Sequence, residues 1–323
     1  MDSILKFLKK HRKTLTNILT IIVLFLMGYY LYNNRDIFSS LKNLEIKYII
    51  YILLLQVLVI AVTALVNKLV IGILKISIPF KQSLQLQYSN AFLNKLVSEG
   101  GAVFRGYFLK EVYKLPYTKY ISTIAGFYVV SFISNSIIGL ISLFYIFFTY
   151  NRINYIILSL LVLLLIGMLI LLVVDPKIKN RKDSRVLRWI ESILEGWKRI
   201  KDERKKFPLF ILLSIFILIL SSLQFIFVYK GLGVNLGFFE SLYMTSIGII
   251  TTFVNITPDS IGIKEGVYMF SSQIIGLDSD IILLGSLIVR AIALINTFII
   301  GSISYLRLSA NLKNKNTIPK STE

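Results

Sequence analysis

Charged side chains lie inside the apolar stretches of this chain, where each charge needs a physical reason. Arg290 stands ten residues into an apolar run over 280–306. An isolated arginine at the centre of a bilayer costs at least ~2.5 kcal/mol, so we expect a carboxylate partner or a polar cavity. Glu265 is the expected protein partner. A contact with substrate and a purely structural ion pair both agree with this position.

Two motifs combine helix-breaking residues with charges. The first covers 98–101 with the sequence Ser-Glu-Gly-Gly, and the second covers 257–262 with the sequence Thr-Pro-Asp-Ser-Ile-Gly. Glycine and proline interrupt helices, and irregular backbone at membrane depth survives only where it is buried in protein or lines a wet cavity. The candidate substrate-binding residues lie in and around these motifs: Asn94, Gly101, Arg105, Lys110, Asn255, Pro258, Asp259, Gly262, Lys264, Glu265 and Arg290.

The charges beside the breaks favour the binding of an anion. A helix that begins just after Gly262 would point unpaired N–H groups and a positive dipole end at the break, and Lys264 would add a full charge. The break after Gly101, with Arg105 and Lys110, predicts a second such site from the opposite leaflet. A phospholipid or polyprenyl-phosphate headgroup fits this chemistry better than a free sugar. Alternatively, the two glycines only permit close packing of helices.

The chain lacks the side chains that several other kinds of site need. The chain has no cysteine and its only histidine is His11, which argues against thiolate, zinc, haem, iron–sulfur and histidine-triad sites. We therefore predict no metal and no cofactor. Walker lysine loops and nucleophile elbows are also absent. A membrane transferase that uses Asp259 or Glu265 as general base stays open.

The elements that must position these residues are membrane helices. The 323 residues are 55% hydrophobic, with a mean hydropathy of +0.73, and several apolar runs approach or exceed the ~20 residues that cross a bilayer. This composition predicts an all-α polytopic membrane protein. We expect about six full transmembrane helices, at 15–32, 47–74, 120–149, 153–174, 208–230 and 280–306. The first is expected to be retained, because no small-residue cleavage site follows it.

Basic residues predict how the helices are oriented. In a membrane protein, a formal charge of +19 reflects basic residues in cytoplasmic loops and their attraction to anionic headgroups. We therefore predict no nucleic-acid partner. The basic regions 1–13, 175–207 and 307–323 are expected to be cytoplasmic, while 33–46, 150–154 and 231–237 are expected outside. Both termini are then cytoplasmic in a cytoplasmic-membrane protein. This topology requires the segments 82–114 and 238–277 to enter the membrane and return as re-entrant hairpins.

The two broken segments resemble each other, which predicts an inverted repeat. Asn94 precedes Gly101 by seven residues, as Asn255 precedes Gly262, and a similar offset pairs Gly139 with Gly301. Inverted repeats that enclose broken helices are typical of secondary transporters, with the substrate near the midplane. A single membrane domain over 1–323 would hold the halves 15–149 and 153–306. Helix 153–174 and the basic loop 175–207 would join them.

The basic loop has its own pattern. Val186, Ile190, Ile193, Trp197 and Ile200 recur at helical spacing between basic residues. This pattern predicts an amphipathic helix that lies on an anionic membrane surface. The alternative is a linker helix packed on the protein.

At the two motifs the chain resembles the lysylphosphatidylglycerol synthase transmembrane-region family, also described as flippase-like or UPF0104 integral membrane proteins. The stretch from Thr257 to Glu265, with Arg290 further on, looks like the family's TPGGxGxxE block and its later arginine. The stretch from Asn94 to Arg105 is similar to the family's N-x-(P)-G-x-x-G-E-x-x-R block. The resemblance covers roughly residues 10–310.

The chain also departs from the family pattern. Asp259 and Ser260 replace the usual Gly-Gly pair, and the proline of the first block is missing. Charged residues that often follow the first block are replaced by apolar and small ones around 126–132. These departures bear on the substrate more than on the fold.

The resemblance implies a translocator. In the family's namesake, a membrane region flips aminoacylated phosphatidylglycerol and a separate soluble domain attaches the amino acid. We expect no such soluble domain here, and therefore flipping of an anionic lipid or lipid-linked glycan in envelope assembly rather than synthesis. A lipid headgroup transferase stays open. So does a non-catalytic partner of an envelope glycosyltransferase, with the basic loop as its docking surface.

Overall fold

The computed structural model describes residues 44–97, 99–173, 185–249, 251 and 257–317, together with isolated positions between 25 and 42. Asn255 lies outside this part of the chain, as does nearly all of the predicted first span at 15–32. The predictions for those residues therefore lie outside the described part of the chain.

The described residues form helices joined by short turns, which confirms the all-α class. Ten α-helices are defined from residue 44 to residue 317 of the described chain: α1 (Ile46–Ile73), α2 (Phe80–Leu96), α3 (Gly100–Tyr113), α4 (Tyr117–Tyr150), α5 (Tyr155–Val173), α6 (Arg185–Asp202), α7 (Phe207–Gly231), α8 (Phe238–Gly248), α9 (Ile263–Ser272) and α10 (Ser279–Thr317). Prolines mark several helix starts, because proline has no N–H to leave unsatisfied and a fixed φ. Pro79 precedes α2 and Pro116 precedes α4.

Four helices are long and apolar enough to cross a membrane. They are α1, α4, α7 and the Ser279–Leu312 part of α10. They coincide with the predicted spans 47–74, 120–149, 208–230 and 280–306. The predicted span 153–174 corresponds to α5, whose apolar part, Tyr155–Leu171, is shorter. A count of six full spans stays a prediction.

The same order of elements occurs twice in the described chain. A long helix, two shorter helices separated by a break and another long helix make up α1–α4, and again α7–α10. The packing between the two groups is reciprocal: α2 contacts α10, α8 contacts α4, and α1 contacts α7. A two-fold relation that exchanges the groups would convert the contact of α2 with α10 into that of α8 with α4, and it would leave the contact of α1 with α7 unchanged. The order of the helices and the contacts between the two groups therefore both agree with an internal repeat.

Two glycines lie at the reciprocal crossings. A Cβ added to Gly139 of α4 would lie 3.0 Å from the Ser246 Cβ of α8. A Cβ added to Gly301 of α10 would lie 2.7 Å from the Phe92 Cβ and 2.8 Å from the Tyr88 carbonyl oxygen, both on α2. Small residues let helices approach closely in a membrane protein. The glycines that the sequence offset pairs thus have the same structural role.

Helix α6 packs on the protein. Its Trp197 and Ile200 are buried against Phe127 of α4 and Phe210 of α7. A Cβ on Gly126 of α4 would lie 2.5 Å from the Gly196 carbonyl of α6, so the two backbones touch. The interpretation of an apolar face that enters the lipid surface is therefore wrong over the described side chains, 191–202. The linker-helix alternative is correct, because α4 and α7 cover that face.

The largest buried apolar cluster lies where α4, α5, α7, α8, α9 and α10 meet. Leu143, Val228, Tyr243, Ile247 and Ile282 are among its fully covered members. The phenol of Tyr229 in this cluster donates to the Ile282 carbonyl at 2.9 Å, which satisfies a polar atom inside the apolar core. The cluster thus ties the second group of helices to α4 and α5.

Candidate functional site

The first break is a tight connection between α2 and α3. Helix α2 ends at Leu96, Glu99 adopts a left-handed conformation with φ 62°, and α3 begins at Gly100. The Gly101 N–H donates to Asn94 Oδ1 at 2.8 Å, which satisfies one of the free N–H groups at the start of α3. A Cβ on Gly101 would collide with the Asn90 backbone. The spacing of Asn94 and Gly101 therefore reflects a bond that closes this hairpin.

The second break contains an unusual turn before α9. A short 3₁₀ turn covers Pro258–Ser260, in which Asp259 and Ser260 both have φ 53°, and Gly262 follows with φ 80°. Left-handed φ values are uncommon for residues other than glycine. Helix α9 begins at Ile263, directly after Gly262, as the sequence predicts. The Gly262 N–H donates to Glu265 Oε2 at 2.7 Å, so α9 caps its own start.

Arg290 of α10 lies against both carboxylates of the second break. Its Nε and Nη2 each lie 2.7 Å from Glu265 Oε1, which confirms the predicted pair. Its Nη1 lies 3.1 Å from Asp259 Oδ2 and 3.3 Å from the Asp259 carbonyl oxygen. The side chains of Arg290 and Glu265 are 12% and 4% exposed. The ion pair is therefore desolvated, and its hydrogen bonds must offset that cost.

Lys95 joins this cluster from the other group of helices. It lies in the last turn of α2, and its ammonium forms an ion pair with Asp259 Oδ2, the oxygen that Arg290 also contacts. Lys95 is not among the candidate residues that the sequence motifs indicated. One signal was present, because a cation in the last turn of a helix is favoured by the negative end of the helix dipole. The partner of that cation could be known only from the packing of α2 on the second break.

Lys264 is the third cation of the cluster. The charges of Asp259, Arg290 and Glu265 all act on its ammonium. In the part of the chain that the structure describes, that ammonium forms no hydrogen bond and no ion pair within 4 Å. We call the five residues Lys95, Asp259, Lys264, Glu265 and Arg290 the ionic cluster. Three cations and two carboxylates give it one net positive charge.

Arg105 has a separate set of partners, which are neutral. Its Nη1 donates to Asn67 Oδ1 at 2.8 Å and to the Tyr120 hydroxyl at 3.2 Å, and its Nη2 donates to Gln87 Oε1 at 2.5 Å. We call these four residues the Arg105 network. Among the described residues Arg105 forms no ion pair with the carboxylates of the second break.

The remaining predicted residues fall into three groups. Lys110 is exposed and lines a surface depression with Glu111, Lys114 and Pro116, so it belongs to neither polar centre. Pro258 begins the 3₁₀ turn that carries Asp259. Asn255 lies outside the described residues.

The ionic cluster is suited to recognising an anion. Lys264 offers a half-buried ammonium that forms no ion pair within 4 Å among the described residues, and a desolvated charge gains most from a partner of opposite sign. A general base needs a free carboxylate oxygen. Both oxygens of Glu265 are engaged, one by Arg290 and the other by the Gly262 N–H. Glu265 therefore fits an ion pair better than proton abstraction, whereas Lys95 and Arg290 contact the Asp259 carboxylate through Oδ2.

Comparison with known proteins agrees with the motifs. The family profile for the lysylphosphatidylglycerol synthase transmembrane region matches residues 15–301. A UPF0104 membrane protein of Methanothermobacter thermautotrophicus is 21% identical over 336 aligned positions, which cover 94% of this chain and 95% of that protein. Another, from Methanocaldococcus jannaschii, is 25% identical over 330 positions, covering 93% and 96%. No solved structure matches the chain.

The profile match extends across both breaks and three of the four membrane-length helices, and it ends within the fourth, at residue 301. The chain is therefore a multi-pass membrane protein, and it belongs to the lysylphosphatidylglycerol synthase transmembrane-region family.

Proposed function

We propose that the protein moves an anionic lipid or lipid-linked glycan between the leaflets of the cytoplasmic membrane. One observation carries the proposal: the Lys264 ammonium has no counter-ion within 4 Å among the described residues, although Lys95 and Arg290 lie in the same cluster. A net positive charge at membrane depth is costly unless an anion neutralises it. A phosphate-bearing headgroup supplies that anion.

Helix lengths support re-entrant hairpins. At 1.5 Å per residue, α8 and α9, with 11 and 10 residues, are about 16 and 15 Å long. Helices α2 and α3, with 17 and 14 residues, are about 25 and 21 Å long. The hydrocarbon core is ~30 Å thick, so none of the four crosses it alone. Each pair of arms therefore suits a hairpin that enters the membrane and returns.

Side-chain contacts support the proposed orientation. On the side we assign to the cytoplasm, Leu308 of α10 packs with Leu109 of α3, and Arg199 of α6 donates to Ser122 of α4 at 2.7 Å. On the side we assign to the outside, Arg152 donates to the Gln273 carbonyl at 3.1 Å. Segments with the same predicted side are thus neighbours, which supports a second hairpin that opens opposite to the first. This is the inverted relation that alternating access requires.

The ion pair between Lys95 and Asp259 can link headgroup binding to movement of the helices in this transport cycle. It connects α2 in the first group of helices with the second break, so relative movement of the two groups must break or re-form it. A phosphate oxygen can replace the carboxylate at Lys95 and Arg290 without leaving either cation unpaired. Headgroup binding can then be coupled to the movement of one group against the other.

Transport can be tested with the full chain in vesicles. A fluorescent phosphatidylglycerol or polyprenyl-phosphate glycan is added to both leaflets, and an impermeant reductant reports how fast the inner pool reaches the outer leaflet. The protein should accelerate this exchange above protein-free vesicles. Lys264→Met should slow it at least about tenfold, because the unpaired charge is lost. Lys205→Met, which removes an exposed lysine from the loop after α6, is the matched control.

The decisive comparison is between the two lysine variants at equal folded amounts. Loss in Lys264→Met with normal transport in Lys205→Met supports the proposal. Exchange that never exceeds the protein-free rate for any of these lipids would refute lipid translocation. The same assay on a zwitterionic phosphatidylcholine probe tests whether the headgroup charge matters.

A further inference from the structure

Asp259 is the most accessible carboxylate of the ionic cluster. Its side chain is 35% exposed, compared with 13% for Lys95, 12% for Arg290 and 4% for Glu265. Its Oδ2 contacts both Lys95 and Arg290. A headgroup that reaches these two cations therefore meets the Asp259 carboxylate first.

The backbone holds Asp259 in an unusual conformation. Asp259 and Ser260 both have φ 53°, although neither is glycine. The turn is fixed by the Ser260 N–H, which donates to the Thr257 carbonyl at 3.0 Å, and by the Thr257 hydroxyl, which donates to the Ile261 carbonyl at 2.8 Å. Left-handed residues of this kind persist only when the surroundings hold them, and they concentrate at functional sites. The carboxylate is thus presented to the cations by a constrained turn.

The charge of the cluster depends on Asp259 as much as on the cations. With Asp259 the five residues carry one net positive charge, and without its carboxylate they would carry two. In a desolvated site, the ligand that leaves the least uncompensated charge is favoured. A phosphodiester headgroup has one negative charge. A phosphate monoester carries about 1.5 to 2 at neutral pH, because its second pKa is near 6.

We propose that Asp259 is the specificity-determining residue for headgroup charge, and that it makes the site prefer a headgroup with one negative charge over a headgroup with two. This inference rests on the proposed transport function and deepens it. The Asp259 carboxylate acts as an internal anion that neutralises part of the positive charge of Lys95 and Arg290. A ligand with two charges would leave the site negative, whereas a ligand with one leaves it neutral.

Charge-changing variants test the inference in the same vesicles. The rates for fluorescent phosphatidylglycerol, with one charge, and fluorescent phosphatidic acid, with about two at pH 8, are compared as a ratio. Asp259→Asn should shift this ratio at least about tenfold towards phosphatidic acid. The control Asp278→Asn removes an exposed carboxylate outside the cluster and should leave the ratio unchanged.

A compensating pair separates charge from shape. Lys264→Met lowers the net charge of the cluster to zero and should reduce the advantage of phosphatidylglycerol over phosphatidylcholine. Combining Asp259→Asn with Lys264→Met restores one positive charge. The double variant should therefore return to the wild-type ratio of phosphatidylglycerol to phosphatidic acid, although both side chains are changed.

The outcomes distinguish this inference from the proposed function. If the wild-type protein moves neither lipid faster than protein-free vesicles do, the transport function fails. If the wild-type protein transports lipid and folded Asp259→Asn keeps the wild-type ratio, the role of Asp259 is overturned and the transport function stands. If Asp259→Asn does not fold, Lys264→Met and the double variant decide. An unchanged preference in Lys264→Met, or a double variant whose ratio departs from wild type, then overturns the inference.

Discussion

The Arg105 network and the ionic cluster each compensate the charge of an arginine, but they do so with different chemical groups. The Arg105 network lies within the first group of helices, whereas the ionic cluster combines residues of the second group with Lys95 of the first. Each holds a buried or nearly buried arginine near a helix break. Arg105 donates to the neutral oxygens of Asn67, Gln87 and Tyr120. Arg290 contacts two carboxylates, with two lysines nearby. The repeated frame of helices therefore carries two polar centres of different electrostatic character.

The difference indicates which centre can exchange partners. A phosphate oxygen can take the place of a carboxylate oxygen at Arg290 or Lys95, because both are anionic acceptors of charge-assisted hydrogen bonds. An anion that displaced Asn67 or Gln87 from Arg105 would leave their buried amide groups without their present partner, which costs free energy. We therefore propose that the ionic cluster recognises the anion and that the Arg105 network supports the first hairpin.

The largest expected effect is on stability. Arg290→Met leaves two carboxylates without their arginine and should cost about 3–5 kcal/mol, because removing one partner of a buried ion pair strands the other. Arg105→Met leaves only neutral acceptors unsatisfied and should cost about 1–3 kcal/mol. Unfolding of both variants in detergent, followed by circular dichroism, gives the comparison. A greater loss in Arg105→Met would reverse our assignment of the two centres.

The second prediction separates the structural and recognition roles of Arg290. Combining Arg290→Met with Glu265→Gln should recover most of the lost stability, because the stranded carboxylate becomes neutral. Transport should stay impaired in this double variant if Arg290 contacts the headgroup. Arg290→Lys should fold but transport more slowly, because lysine has no planar bidentate fork. Full transport in the double variant would leave Arg290 with a purely structural role.

The third prediction compares the two breaks. Gly101→Ala should cost about 1–3 kcal/mol, because its Cβ would enter the Asn90 backbone. Gly262→Ala should cost about 1–2 kcal/mol, because φ 80° is unfavourable for a residue with a Cβ. Gly167→Ala in α5 is the control, since no atom lies within 4 Å of its added Cβ. Thermal unfolding midpoints of the three variants rank them, and equal midpoints would contradict both mechanisms.

The smallest perturbation tests whether the two groups of helices are inverted. The chain has no cysteine, so Lys114→Cys after the first hairpin and Gln273→Cys after α9 can each be labelled singly. Both positions are exposed, and neither change should affect folding. An impermeant maleimide should label Gln273→Cys from outside the cell and Lys114→Cys only after permeabilisation. Labelling of both from one side would exclude the inverted arrangement.

Much of the helical frame could be predicted because its signals are local. Apolar runs over 47–74 and 208–230 are long enough to cross a bilayer, and Pro79 and Pro116 mark helix starts. The pairing of Gly139 with Gly301 also came from the sequence, although only the structure gave these glycines a role at reciprocal crossings.

The placement of α6 shows where local signals fail. Its apolar face has the same pattern whether lipid or protein covers it, so periodicity could not decide between the two. The contact of Gly126 with Gly196 brings α4 close enough to cover Trp197 and Ile200. A pattern within one helix contains no information about which neighbour it meets.

The sequence alone determined that Arg290 needs a carboxylate partner or a polar cavity, with Glu265 as the expected partner, because an arginine at membrane depth is too costly to leave uncompensated. It also determined that α9 begins after Gly262. Only the tertiary structure decided that Lys95 shares Asp259 with Arg290, across 164 residues of chain. It likewise decided that Arg105 has neutral partners. Desolvation makes an uncompensated buried charge costly in free energy, so a compensating group is expected. Which group compensates the charge depends on which helices pack together.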